Sequence, residues 1–312
     1  MGKFYNKAAI IGCGAVGATI AYAMSIRSAV SHMVLIDINK EKAEGEVMDI
    51  NHGMVNFSPI DIYCGDYSDV KDCDIIIVAS GVGRKPGDTR LDLARNNINI
   101  IKSVAENIKP YYGDALILMV ANPVDILTYV MAQELGISEN KIFGTGTTLD
   151  TARFKYYLSE ELELCINNVH GYVIGEHGDT QFPVESSINV AGQPLDEFCR
   201  ANGKTVDIHA IAEKVKHAGA EVIKRKHATY YAIASSVCRI VDAIIKNEHA
   251  ILTLSTVKCG AYGLSGLSIG LPCIVNADGI SRVIPLNLNE KEQELLKLSA
   301  QTLKDILKGA AQ

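Results

Sequence analysis

The first half of the chain alternates short, continuously apolar runs with longer segments of helical periodicity. Runs that are apolar at every position are typical of strands buried on both faces of a parallel sheet. Such runs lie at 8–11, 33–37, 60–64, 74–79 and 115–121, and the helical segments at 15–26, 40–49, 91–108 and 124–135. This alternation predicts an α/β fold with a doubly wound parallel sheet.

A glycine-rich turn joins the first predicted strand to the first predicted helix. Gly12-Cys13-Gly14-Ala15-Val16-Gly17 matches G-x-G-x-x-G, and Asp37 ends the next strand, 20 residues after Gly17. That context makes it a dinucleotide-binding (Rossmann) motif rather than a simple structural turn. We assign Gly12, Gly14, Val16, Gly17 and Asp37 to the cofactor. A carboxylate at 37 would repel a 2′-phosphate, so NAD is favoured over NADP.

A basic loop at 80–90, which contains Arg84, Lys85 and Arg90, follows the strand predicted at 74–79. It is either a solvated surface loop or a lid that brings cations to an anionic substrate. Ligands bind outside the carboxyl ends of parallel strands, so Gly81 is predicted to contact the cofactor. Asn122, after the next strand, could cap a helix with Pro123 at its first position, or place its amide beside the nicotinamide and the reacting oxygen.

The second half carries the candidate acid–base group. His177 lies between two glycines in Gly175-Glu176-His177-Gly178-Asp179, and Asp150 and Arg153 share one face of a helix predicted at 149–162. Each has an ordinary interpretation, as a structural histidine and a surface ion pair. In a functional interpretation, Asp150 orients the imidazole and stabilises its charged form, which then donates a proton to a carbonyl oxygen.

Composition excludes several other classes of function. The formal net charge of −6 gives no general basic footprint for nucleic acid, and no apolar run reaches the roughly 18 residues of a membrane span. The eight cysteines are scattered without a Cys-x-x-Cys pair, so neither a disulfide framework nor a metal site is expected. The N-terminus shows no signal peptide, which predicts a cytoplasmic protein.

Further helices are predicted in the second half. The segment 208–247 reads as one or two long helices, interrupted near Thr229, which could belong to the core or line a pocket. The segment 289–307 reads as an amphipathic helix that begins with a capping box of Asn289 and Glu292. We place a NAD-binding domain at 1–145 and a substrate-binding, α+β catalytic domain at 146–312.

Five motifs, in order along the chain, resemble those of the L-lactate/malate dehydrogenase family, and bacterial lactate enzymes most of all. They are the glycine turn 12–17, Arg90-Leu91-Asp92-Leu93, Asn122-Pro123-Val124-Asp125, Asp150-Thr151-Ala152-Arg153-Phe154 and Gly175-Glu176-His177-Gly178-Asp179-Thr180. The resemblance implies reversible NAD-dependent reduction of a small 2-oxo acid to a 2-hydroxy acid. It also implies a homotetramer, with a homodimer as the smaller alternative.

The resemblance also implies roles for individual residues. His177 would be the proton donor, with Asp150 as its orienting partner. Arg153 would grip the substrate carboxylate through its two-pronged guanidinium, which Lys cannot copy. Arg90, on the mobile loop, would polarise the substrate carbonyl, and Asn122 would help hold that oxygen.

Two positions bear on the substrate. Arg84 resembles the malate enzymes, because an arginine can pair with the second carboxylate of oxaloacetate, whereas pyruvate has a methyl group there. Burying that charge unpaired costs about 3–5 kcal/mol at most. Thr229 and the surrounding sequence resemble the lactate enzymes. We therefore expect a lactate dehydrogenase, with malate dehydrogenase as the alternative and a non-catalytic NAD-binding regulator as a distant one.

A last group of positions departs from the bacterial lactate enzymes. Many of those enzymes bind fructose 1,6-bisphosphate through an Arg and a His, where this chain has Lys155 and His170. The charge remains but the guanidinium fork is lost, so the pair is either an anion site or two ordinary surface groups. Glu185 stands where these enzymes usually have Trp, and nothing in the sequence explains it.

Overall fold

The computed structural model describes residues 7–57, 59–83 and 89–310. In the first half, strands and helices alternate as the apolar runs predict. The strands are β1 (Lys7–Ile11), β2 (His32–Ile36), β3 (Asp61–Cys64), β4 (Ile75–Val78), β5 (Leu116–Met119) and β6 (Ile142–Gly144), the last of which no predicted run covers. The helices are α1 (Ala15–Arg27), α2 (Lys40–Gly53), α3 (Arg90–Ile108) and α4 (Val124–Leu135).

These six strands are parallel and doubly wound. β1 pairs with β2 on one side and with β4 on the other, and the order of the strands is β3-β2-β1-β4-β5-β6. The chain therefore reverses its direction of winding between β1 and β4, which opens a crevice at their carboxyl ends. All four residues of β4 and of β5 are buried, as continuous apolar runs require.

The second half contributes eight further strands, most of them of two residues, and five helices, the last of which is C-terminal. The remaining strands are β7 (Val169–His170), β8 (Val173–Ile174), β9 (Phe182–Pro183), β10 (Asn189–Val190), β11 (Gln193–Pro194), β12 (Ala250–Thr256), β13 (Ile269–Asn276) and β14 (Gly279–Val283). The remaining helices are α5 (Thr148–Leu162), α6 (Leu195–Asn202), α7 (Ile208–Lys226), α8 (Tyr231–Ile245) and α9 (Glu290–Ala310).

The sheet is larger than the sequence predicts, because three antiparallel strands extend it. β12 pairs with β6 through Ser255 and Gly144, and β13 and β14 follow. A Cβ at Gly144 would lie 2.5 Å from Thr128 Oγ1 and 2.7 Å from Val124 Cγ2 of α4, as well as 3.0 Å from Cβ of Ser255, so the glycine permits close packing of both α4 and β12. Nine of the described strands thus form one mixed sheet that runs through both halves of the chain.

Two sequence predictions about helix ends are confirmed. The segment 208–247 is two helices, and α7 ends at His227, whose φ of 69° is left-handed. The side chain of Asn289 accepts a hydrogen bond from the Glu292 N–H at 3.0 Å, and Glu292 accepts one from the Asn289 N–H at 2.9 Å. This is the predicted capping box. Across the residues that the structure describes, no helix could cross a membrane.

Candidate active site

The turn between β1 and α1 is closed by glycines. Gly12 has a φ of +99°, and a Cβ there would lie 2.6 Å from the Ser80 nitrogen; one at Gly17 would overlap the Gly12 carbonyl. At Gly14, in contrast, a Cβ would meet no atom within 4 Å. Packing therefore does not require Gly14, and the open space beside it at the start of α1 would accommodate a pyrophosphate.

Asp37 follows β2 and faces the same turn. Its Oδ2 accepts a hydrogen bond from the Cys13 N–H at 2.6 Å, and its Oδ1 accepts one from the Asn39 N–H at 2.8 Å. These bonds orient the carboxylate beside the glycine turn, where its remaining lone pairs can accept from ribose hydroxyls. Helix α1 also begins without a side-chain cap, so its first N–H groups are available to an anion. The residues present fit NAD.

A buried asparagine joins the loop that follows β4 to the loop that follows β5. Asn97 of α3 is 1% exposed; its Oδ1 accepts from the Val82 N–H at 2.8 Å, and its Nδ2 donates to the Asn122 carbonyl at 2.6 Å. A Cβ at Gly81 would lie 3.3 Å from Asn97 Oδ1, which leaves little room for a side chain. No sequence motif points to Asn97, because its role depends on tertiary contacts.

A cavity of about 310 Å³ brings together most of the residues predicted to act in chemistry or substrate binding. Those that line it are Val16, Arg90, Asn122, Asp150, Arg153, His177 and Thr229. Helix α7 supplies Lys216, Gly219 and Ala220, which the sequence did not single out. Lys216 is bonded to Glu213 at 2.7 Å. The lining thus contains three cationic side chains, Arg90, Arg153 and Lys216, and two carboxylates, Asp150 and Asp179, so cations outnumber anions where a small anion would bind.

Asp150 connects the candidate base to the candidate carboxylate-binding residue. Its Oδ2 lies 2.6 Å from Nδ1 of His177, and its Oδ1 accepts from Nη1 of Arg153 at 3.0 Å. The Asp150 side chain is 1% exposed, whereas those of His177 and Arg153 are 25% and 17% exposed. The Asp150–Arg153 pair is thus a buried part of the site rather than a surface ion pair.

The buried charges set the ionisation of this cluster. Burial alone would lower the pKa of His177, but the carboxylates of Asp150 and Asp125 outweigh it and raise the pKa above 6.5. Burial likewise opposes ionisation of Asp150, but His177 and Arg153 lower its pKa below 3.8. The two carboxylates therefore favour the protonated form of the ring, and Asp150 remains charged in the neutral range.

From the sequence, Arg90 was predicted to lie on a loop. In the structure it is instead the first residue of α3. Thr89 caps the helix in a capping box with Asp92, which fixes the helix start at this point. The Arg90 Nη1 lies 3.3 Å from Glu176 Oε1 and 3.1 Å from Asp179 Oδ2. The guanidinium is thus held by two carboxylates of the His177 segment.

Asn122 lines the cavity, and its side chain also serves the start of α4. Its Oδ1 accepts from the Val124 N–H at 3.3 Å, so the capping and pocket interpretations are compatible. Pro123 lies one position earlier than predicted, at the N-cap, because its ψ of 112° is extended rather than helical.

Lys155 and His170, the positions considered for effector binding, are not among the residues that line the active-site cavity. Lys155 is half-buried on α5, where burial lowers its pKa, and His170 is exposed on β7. Glu185 is exposed and lines a separate cavity of about 550 Å³ with Arg200 and Lys204.

Arg84 lies outside the described residues, as do Lys85 and the rest of 84–88. Among described residues, no group of three or more His, Cys, Asp or Glu could hold a metal.

The parallel sheet, the glycine turn and the His–Asp pair define an NAD-dependent oxidoreductase. Two family models, described as the lactate/malate dehydrogenase NAD-binding domain and the α/β C-terminal domain, match residues 6–144 and 147–312. The chain therefore belongs to the lactate/malate dehydrogenase family, and NAD is its cofactor.

Related dehydrogenases align with nearly the whole chain. It is 45% identical to an L-lactate dehydrogenase of Acetivibrio thermocellus, over 98% of both chains. It is 42% identical to one of Thermoanaerobacterium saccharolyticum, over 97% of this chain and 98% of the other. A lactate dehydrogenase structure from a Medee basin deep-sea metagenome library superposes with a TM-score of 0.96, at 39% identity, over 99% of this chain and 100% of that one.

Proposed function

We propose that the protein is an L-lactate dehydrogenase, which interconverts pyruvate and L-lactate with NADH and NAD. The observation that carries the proposal is the Asp150 carboxylate, whose two oxygens bind His177 and Arg153 at one cavity. A proton donor and a carboxylate-binding cation are thereby fixed relative to each other, as reduction of a 2-oxo acid requires. The names of the curated relatives support lactate as the product.

Each cavity residue has a proposed task. The cofactor, when bound, supplies the hydride for C2 of the substrate. His177 donates a proton to the carbonyl oxygen from Nε2, since Nδ1 is engaged by Asp150. Arg153 binds the substrate carboxylate, Arg90 and Asn122 stabilise negative charge that develops on the oxygen, and Thr229 lines the space for the C3 methyl.

The cofactor residues are proposed from the glycine turn. Gly12, Gly14, Val16 and Gly17 would seat the pyrophosphate at the start of α1, and Asp37 would bind the adenosine ribose. Gly81 and Asn122 would flank the nicotinamide. The proposed domains, 1–145 and 146–312, predict that substitutions in the glycine turn of the first part alter NADH affinity, whereas those at Arg153 and Thr229 of the second alter pyruvate affinity; Arg90 and Asn122, although in the first part, should affect pyruvate because they line the same cavity.

The deciding experiment measures NADH oxidation by purified protein with pyruvate and with oxaloacetate, comparing kcat/KM. The same assay on Arg84→Gln tests the malate alternative. Pyruvate should be preferred at least tenfold, about 1.4 kcal/mol, with little change on mutation. A tenfold preference for oxaloacetate that Arg84→Gln reverses would make the enzyme a malate dehydrogenase instead. Tight NADH binding without turnover of any 2-oxo acid would leave only the NAD-binding regulator.

We propose self-association as a homotetramer, or at least a homodimer. A groove of about 860 Å³ between α5, α7 and the start of α8 is lined by exposed aromatic and apolar side chains, among them Tyr156, Val222 and Tyr231. Exposed apolar surface of this kind marks protein interfaces. Light scattering coupled to size-exclusion chromatography tests this, and a monomer at micromolar concentration would contradict it.

Two further proposals concern regulation and location. Lys155 and His170 would form an anion site weaker than an arginine fork, so fructose 1,6-bisphosphate should change pyruvate KM less than twofold. A larger activation that Lys155→Ala abolishes would show a functional effector site. A cytoplasmic location stays a prediction, which cell fractionation tests.

A further inference from the structure

A second buried carboxylate contacts the catalytic histidine at its main chain. Asp125, in the first turn of α4, is 2% exposed. Its Oδ2 accepts a hydrogen bond from the His177 N–H at 2.7 Å, and its Oδ1 accepts one from the Ser255 hydroxyl. Ser255 is itself fully buried in β12. Asp125 thus links the histidine to the middle of the sheet.

The main chain before the imidazole is held at three successive N–H groups. Gly175 donates to the Gly270 carbonyl at 3.0 Å, Glu176 donates to Ser299 Oγ at 2.6 Å, and His177 donates to Asp125. The three acceptors belong to β13, α9 and α4, which lie far apart in the sequence. Of these three bonds, only the one to Asp125 acts on the residue that carries the reacting ring.

Open space beside the histidine segment makes this bond important. A cavity of about 140 Å³ is lined by Asp125, Glu176 and His177, by Leu303 and Ile306 of α9, and by Arg90 and Asn122, which also line the active-site cavity. Side chains therefore do not fill the volume on this side of the segment, so packing alone does not stop a displacement into it. Proton transfer is sensitive to such displacements, since a shift of about 1 Å can cost on the order of 10²-fold in rate.

We propose that Asp125 is a positioning residue of the acid–base centre, which fixes the main chain of His177 so that the free ring nitrogen faces the substrate. The inference rests on the proposed function, because it assigns His177 the proton transfer. Asp125 acts through the hydrogen bond to the main chain, while Asp150 acts on the ring itself.

The competing explanation for Asp125 is that its negative charge acts on the pKa of His177. Asp150 and Asp125 both raise the pKa of His177, and Arg153 and burial oppose them. Asp125 in turn faces Ser255, Glu176 and His177, and burial raises its own pKa to about 6. A substitution that removes the charge but keeps the hydrogen bond separates the two explanations.

Asp125→Asn provides that separation. The amide oxygen can accept from the His177 N–H, and the amide nitrogen can donate to the Ser255 hydroxyl, which both donates and accepts. Positioning predicts that Asp125→Asn keeps kcat for pyruvate within about threefold of wild type. The pH at which reduction declines should fall, because one carboxylate near the imidazolium is lost.

Asp125→Ala and Asp125→Ser remove the bond, since neither side chain reaches the His177 nitrogen. Each should lower kcat at least tenfold and leave the NADH dissociation constant, measured by fluorescence, within twofold. Ser255→Ala is the matched control, because it removes a partner of Asp125 but keeps the bond to His177, and should cost less than either. If one truncation fails to fold, the other is measured in its place.

Three results would overturn the proposal. They are a truncated variant that keeps kcat within threefold, an Asn variant as slow as the truncations, or a loss of NADH affinity that matches the loss of kcat. The NMR signal of the His177 ring, assigned with His177→Asn, gives a readout without turnover. If the wild type reduced no 2-oxo acid, the proposed function would fail, whereas an unchanged ring signal in Asp125→Ala would refute the positioning role by itself.

Discussion

Asp150 Oδ2 lies 2.6 Å from Nδ1 of His177, and the remaining oxygen of the same carboxylate is bonded to Arg153. One buried group thereby sets both the tautomer of the ring and the direction of the guanidinium. The proton donor and the carboxylate-binding group are consequently not independent, and a change at Asp150 should affect both.

Asp150→Asn is therefore expected to lower kcat/KM for pyruvate by about 10²–10⁴-fold, the range for loss of an acid–base group or its orienting carboxylate. Affinity for NADH should not change, because Asp150 lies outside the glycine turn. Steady-state kinetics and NADH fluorescence measure the two effects. Asp49→Asn, an exposed carboxylate on α2, is the control. A kcat/KM within tenfold of wild type would contradict the role of Asp150.

The raised pKa of His177 predicts opposite pH dependences for the two directions of reaction. Reduction needs the protonated ring, so its kcat/KM should be constant at low pH and fall as the pH rises through the pKa, which lies above 6.5. Oxidation needs the neutral ring and should rise through the same value. Asp150 does not add a step in this range, because its pKa is below 3.8; protonation of Asp125, whose pKa burial raises to about 6, should change the rate by less than threefold, as in Asp125→Asn. Pre-steady-state rates against pH test this, and parallel profiles would disprove it.

Arg153→Lys should raise the KM for pyruvate by about 10–100-fold, since charge-assisted hydrogen bonds contribute roughly 1.5–3 kcal/mol. The ammonium keeps the charge but cannot form two parallel bonds to a carboxylate. Initial-rate kinetics measure the KM, and NADH affinity should stay constant. Arg200→Lys, on the exposed face of α6, is the matched control and should behave as wild type. Equal KM values for the two variants would argue against bidentate binding.

Gly178 lies directly against the Arg90 guanidinium. A Cβ there would be 2.5 Å from Arg90 Nη2 and 2.7 Å from Glu176 Oε1. Gly178→Ala should therefore displace Arg90 and lower kcat by tenfold or more. Gly45→Ala is the control, because no atom lies within 4 Å of its Cβ in α2, and it should raise stability by about 0.5–1 kcal/mol. Thermal unfolding and kinetics measure both, and an unaffected kcat in Gly178→Ala would refute the prediction.

Asp37→Ser should weaken NADH binding at least tenfold and leave pyruvate KM at saturating NADH unchanged. The hydroxyl is too short to accept from both the Cys13 and Asn39 N–H groups, which orient the carboxylate. Discrimination against NADPH should also decrease, because the repulsion of a 2′-phosphate is lost. Fluorescence titrations with the two cofactors measure this; an unchanged NADPH-to-NADH ratio would speak against the ribose contact.

Much of the fold could be predicted because it depends on local periodicity. The helix predicted at 124–135 has those bounds in the structure; β3, β4 and β5 lie within their apolar runs, whereas β1 and β2 each begin one residue earlier. Strand β6 and the antiparallel strands β12–β14 were not predicted, and the pairing of β12 with β6, which extends the sheet, joins residues more than a hundred positions apart. Arg90 was placed at the end of a loop, one residue before the helix predicted at 91–108, because glycines and a proline precede it; the Thr89–Asp92 capping box starts the helix one residue earlier.

Residues of the candidate site could likewise be predicted only where they belong to a local sequence motif. His177, Asp150 and Arg153 carry recognisable motifs, and the structure brings them to one cavity. Asn97, Ser255 and Ser299 carry none, because an isolated Asn or Ser in an apolar segment gives no sign of its distant partner. Asp125 lay inside a recognised motif, yet only its contact with the His177 nitrogen indicates what it does.

The pairing of β6 with β12 has a practical consequence for anyone who would divide this protein. A fragment that stops near residue 145 would leave β6 as an exposed apolar edge, and the complementary fragment would lack the partner of β12. Open edges of this kind promote aggregation. Separately expressed halves should therefore be insoluble alone and recover a soluble form only when they are produced together.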